Sequence, residues 1–63
     1  MKRTLKSIRV DLGMTQKEMA EKLGISKTSY LKRETGQTPL LARELLQISM
    51  MSNVPCENIE IPV

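Results

Sequence analysis

The side chains best equipped for chemistry crowd into one segment, SKTSYLKRETGQ at residues 26–37, directly after the turn-like Leu23-Gly24-Ile25. It offers the cations Lys27, Lys32 and Arg33 and the hydroxyls of Ser26, Thr28, Ser29 and Thr35, with Gln37 at its end. Such groups hold an anion well and break bonds poorly. The rest of the 63-residue chain supplies nothing to change that: there is no histidine and a single cysteine, Cys56. There is no nucleophile–base pair, no glycine-rich phosphate loop and no metal-ligand set. Asp11, Glu18 and Glu21 read as cap and surface charges. No catalysis, metal or cofactor is expected, and no small-molecule substrate.

Charge gives the anion-binding idea a direction. Residues 1–34 hold nine Lys/Arg against four Asp/Glu, and residues 35–63 hold one against three. A basic front half and an acidic back half imply that one side faces a polyanion. Charge alone favours an ordinary solvated helix surface. No run approaches the roughly 20 apolar residues needed to cross a bilayer. The basic start leads into no continuous apolar stretch, so it is not a signal peptide. The chain reads as soluble, and a lone thiol suits a reducing cytoplasm. A chain this short buries little core and gains from tight helix packing, self-association or both.

Short helices must position the segment. Leu5, Ile8 and Leu12 follow helical spacing, closed by Gly13. Thr15-Gln16-Lys17-Glu18 fits a capping box opening a second helix, with Met19, Ala20 and Leu23 inward and Gly24 ending it. Ser26 caps a third helix to about Glu34, with Tyr30 inward. A fourth runs from about Leu41 to Met51, with Ala42, Leu45, Ile48, Ser49 and Ser52 on its inner side. Pro55 begins a last helical turn, and the tail from Glu60 is extended at best. The expected fold is all-α: one domain, residues 1–63, a compact bundle of four to five short helices with no committed strand.

The pair of helices around Gly24 is the informative feature. Two helices cross steeply over a turn of about three to four residues when a small residue sits at the contact, a glycine bends the chain and apolar anchors flank it. Ala20, Gly24 and Met19, Leu23, Ile25 and Tyr30 meet those needs. The plain alternative is a helical hairpin that only builds the core. The unit, about residues 15–34, resembles the helix-turn-helix of the Cro and repressor class, the Xre-like family. Arg9, Gly13-Met14-Thr15-Gln16, Ala20, Leu23-Gly24-Ile25-Ser26 and Glu34-Thr35-Gly36 fall on its pattern, which runs from about Leu5 to Ile59. Tyr30-Leu31-Lys32-Arg33-Glu34-Thr35-Gly36 is similar to a phage-type subset with Tyr-x-x-Lys/Arg-Glu-x-Gly. The fold implied is the lambda-repressor-like type.

The resemblance implies binding of double-stranded DNA, with the third helix in the major groove. It makes Lys27, Thr28 and Lys32 the base readers. Gln16, at the start of the second helix, matches a phosphate contact. Ser26 and Ser29, with Thr35 and Gln37, are placed to hold the neighbouring backbone, Ser26 also serving as a cap. Arg9 and Glu34 match an orienting ion pair, taken as exposed and so contributing about 0–1 kcal/mol. Arg33 stands where many relatives bury an aliphatic residue and reads equally as phosphate contact or packing cover. Thr35 replaces a common asparagine, and Ser52 an apolar residue, which predicts looser packing of the fourth helix.

Leu46 and Met50 are i, i+4 neighbours read at the edge of the inner face. They either widen the core stripe or, with Cys56 and Ile61, form a dimer contact within about residues 41–63. A homodimer on DNA is expected, because modules of this type read paired half-sites about 34 Å apart. The leading expectation is a cytoplasmic phage or prophage Cro-like repressor that occupies an operator, without small-ligand regulation. The alternative is a protein-interaction module on the same fold, such as an antitoxin or anti-repressor partner.

Overall fold

A computed structural model describes residues 2–62. Four α-helices follow one another, α1 (Leu5–Asp11), α2 (Gln16–Leu23), α3 (Lys27–Glu34) and α4 (Ala42–Ser52), before a 3-10 turn at Cys56–Asn58. The fold is all-α among the described residues.

Short-range chemistry sets most of the boundaries. Thr4, Thr15 and Ser26 each accept a hydrogen bond from a first-turn N–H of the helix that follows. At Thr15 the capping box is complete: the Glu18 N–H reaches Thr15 Oγ1 at 3.1 Å, and the Thr15 N–H reaches Glu18 Oε1 at 2.8 Å. Each cap satisfies donors that a helix start leaves without an intrahelical partner. Gly24 ends α2 with φ of 72°, a left-handed conformation that carries the steep turn into α3. Asn53 ends α4 in the same region, φ 60°, a terminator the sequence reading passed over.

Leu5, Ile8, Met19, Ala20, Leu23, Tyr30, Ile48 and Ile59 form one buried cluster, drawing on all four helices and the C-terminal segment. Leu12, Met14, Ile25, Leu40, Leu45, Met51 and Val54 pack around it. The sequence expectations for α4 need correcting in two places. Ala42 is exposed rather than inward, and the buried residue of the first turn of α4 is Glu44. Leu46 and Met50 do not edge the inner face; at about 100° per residue they lie nearly opposite Ile48 and point to solvent, 56% and 74% exposed. The ends of the chain also meet: the Arg3 N–H donates to Asn58 O and the Glu60 N–H to Arg3 O, both at 2.7 Å, around an isolated parallel bridge between Arg3 and Ile59. Arg3 pairs with Asp11 as well.

Ser52 leaves no unmet polar group. Its hydroxyl donates to Ile48 O at 2.7 Å, while Ser49 Oγ donates to Val54 O at 2.7 Å. The two serines bind the end of α4 to the chain leaving it.

Candidate nucleic-acid interface

The outward face of α3 is built by subtraction. Tyr30 is its one fully buried side chain. Thr28 and Lys32 project from the opposite side at helical spacing, and Lys27 stands at the exposed N-terminal end. The three expected base readers thus share one solvent-facing end and flank. Ser26 Oγ accepts the Ser29 N–H at 3.1 Å and donates to Ser29 Oγ at 3.0 Å, which leaves the Ser29 hydroxyl proton pointing elsewhere. Gln37 is exposed, its backbone N–H closing onto Lys32 O at 2.8 Å. Thr35 Oγ1 donates to Leu31 O at 2.9 Å, so in this rotamer its proton stays on its own helix.

Behind this face lies a polar cluster centred on Glu34. Arg9 Nε donates to Glu34 Oε2 at 3.0 Å, and Arg9 Nη1 to Met14 O at 3.0 Å. The Tyr30 hydroxyl donates to Glu34 Oε2 at 2.6 Å, and Gln16 Nε2 to Glu34 Oε1 at 3.3 Å. One carboxylate therefore gathers α1, α2 and α3. The pair is not the exposed one expected from sequence: its side chains are only 11% and 9% accessible. Burial pushes the Glu34 carboxyl up, but the hydrogen bonds from Arg9, Tyr30 and Gln16 outweigh it and hold the group below the usual carboxylate range. The same bond to Glu34 raises the Arg9 guanidinium against the opposing effect of burial. Burial, then the contact with Glu34, pushes the Tyr30 phenol up, so it stays protonated as a donor.

A second buried pair joins α3 to α4. Arg33 Nε donates to Glu44 Oε1 at 2.8 Å and Arg33 Nη1 to Ser29 O at 3.3 Å, with 13% of the arginine side chain exposed and none of the glutamate. The Arg33 guanidinium is thus turned inward onto Glu44 rather than out to water. Glu44 was missed from sequence. One signal was there: it stands at the third helical position of α4, where its Oε1 accepts the Leu41 N–H at 2.9 Å. Gln16 was likewise expected only as a phosphate ligand; its link to Glu34, 18 residues on, has no local signature.

Of the other residues expected at a dimer contact, Cys56 is half-buried and Ile61 is exposed. Among the described residues there is no cluster of potential metal ligands and no helix long and apolar enough to cross a membrane.

Two short helices crossing at a left-handed glycine, the second presenting a polar outer face, define a helix-turn-helix protein. The comparison with known families agrees: the family model described as Helix-turn-helix matches residues 5–56. The chain belongs to that family, of the Xre and lambda-repressor type, whose members are DNA-binding domains of transcription regulators. No curated protein and no solved structure gives a significant match.

Proposed function

We propose that the chain is a sequence-specific double-stranded DNA-binding regulator, working in the cytoplasm as a Cro-like repressor of phage or prophage type that occupies an operator. The observation that carries this reading is the outward placement of Lys27, Thr28 and Lys32 on a helix whose inner side is anchored by Tyr30 and Glu34. Lysine donates to guanine O6 and N7, and threonine offers a methyl or a hydroxyl to base edges. Ser26, Ser29, Gln37 and the N-terminus of α2 at Gln16 hold phosphates on either side and set the register. Arg9 and Glu34 orient α3. Two copies bind together through the outward face of α4 at Leu46 and Met50, matching paired half-sites.

Titration with selected duplex at several salt concentrations tests this. The logarithm of affinity should fall linearly with that of salt, by about 0.9 per phosphate neutralised. A flat response, or no affinity for any duplex drawn from a random pool, rules the reading out.

A second reading, a protein-interaction module, draws on the exposure of Leu46 and Met50. Lys27→Ala with Lys32→Ala separates the two: sequence preference disappears under the first, and partner binding persists under the second.

A further inference from the structure

The Arg33–Glu44 pair is poorly suited to stabilising the fold. Glu44 is fully covered, and while its Oε1 takes hydrogen bonds from Arg33 and the Leu41 N–H, its Oε2 meets no donor among the described residues. Apolar residues of similar volume usually serve stability as well as a buried ion pair or better. What the pair supplies is direction, since a hydrogen bond weakens steeply when bent.

Helix α3 needs direction. With Tyr30 its one fully buried side chain, apolar packing holds α3 along one line, and its roll depends on the side chains that flank that line. At about 100° per residue, Arg33 lies about 60° to one side of Tyr30 and Glu34 about 40° to the other. Arg33 ties to α4, and Glu34 ties to α1 and α2. The two ties resist rolling in opposite senses. On a helix about 10–12 Å across, a roll of about 20° carries the outer side chains some 2 Å, enough to break a base contact.

We infer that Arg33 and Glu44 are positioning residues that fix the roll of α3, and through it the sequence discrimination of Lys27, Thr28 and Lys32, with Arg33 itself touching no phosphate. This rests on the DNA-binding reading above. The test replaces both members, Arg33→Met with Glu44→Leu, and compares the variant with the natural chain. Thermal unfolding is measured, with the orientation of α3 from residual dipolar couplings and titrations against selected and scrambled duplexes over a range of salt.

The expected variant melts no lower than the natural chain, shows a reoriented α3 and loses at least about tenfold in its ratio of selected to scrambled affinity, one decade being 1.4 kcal/mol. Its salt slope is unchanged. An unchanged ratio overturns the inference. So does a slope lower by about 0.9, which marks a lost phosphate contact. Should the natural chain bind no duplex, the DNA reading fails, and the couplings alone decide: an unmoved α3 overturns the positioning role. If the double variant does not fold, Arg33→Lys keeps the charge but loses the planar fork. It should show the same fall in ratio, and an unchanged ratio again counts against the inference.

Discussion

Glu34 accepts hydrogen bonds from Arg9, Gln16 and Tyr30, so the charge on one carboxylate sets the mutual placement of three helices. Replacing it by glutamine leaves the Arg9 guanidinium, 11% exposed, without a counter-charge. Removing one partner of a buried pair typically costs about 3–5 kcal/mol, and partial solvent access here argues for the low end, about 3 kcal/mol. Urea unfolding at neutral pH should show that loss for Glu34→Gln. The loss should also depend on pH in a fixed direction. Because the folded carboxyl titrates below its ordinary value of 4.5, its contribution is complete above that value and disappears as pH falls through the folded one. The gap between the natural chain and Glu34→Gln is therefore widest near neutrality and narrows in acid once pH falls below the ordinary value of 4.5. A gap that does not narrow at all as the carboxyl is titrated with acid means that shape rather than charge holds the cluster together.

At the scale of elements, the turn between α2 and α3 separates backbone strain from packing. A Cβ on Gly24 would meet no atom within 4 Å, yet φ is +72°. Gly24→Ala should thus cost only the left-handed strain, about 1–2 kcal/mol. In a chain of this size that lowers the melting temperature by roughly 4–16 °C. A fall far beyond that, with lost helicity, means that the turn needs more than a left-handed residue. This turn, the capping box at Thr15 and the inward Tyr30 were all legible in sequence, because each is decided within a few residues. What was not legible depends on distant partners. Glu44 looks like a surface charge until Arg33, 11 residues earlier, turns inward to meet it. Ala42 looks like core until the packing of α4 covers Glu44 instead, beside the Ile48 that periodicity placed inward, and Leu46 looks like the edge of that face until it points to solvent. Periodicity finds an apolar stripe, but it does not say which of two candidate stripes the rest of the molecule will cover.

For the whole molecule, that choice leaves apolar side chains on the outside. The inner side of α4 is occupied by Ile48, Glu44 and Leu45, and the chain ends are already tied through Arg3 to the C-terminal segment. Leu46 and Met50 therefore add nothing to the monomer's core, and substitutions at such exposed positions usually change stability by less than about 0.5 kcal/mol. In a twofold dimer the same patch meets itself, so a charge placed there confronts its own copy. Leu46→Glu with Met50→Glu, at most about 1 kcal/mol together, is expected to melt within about 8 °C of the natural chain. It should bind a single half-site equally well and lose at least about tenfold on the paired site, a decade being 1.4 kcal/mol. Sedimentation in the presence of each duplex would report the stoichiometry directly. Equal weakening on both duplexes would place the patch against DNA, and no weakening on either would remove α4 from the dimer contact.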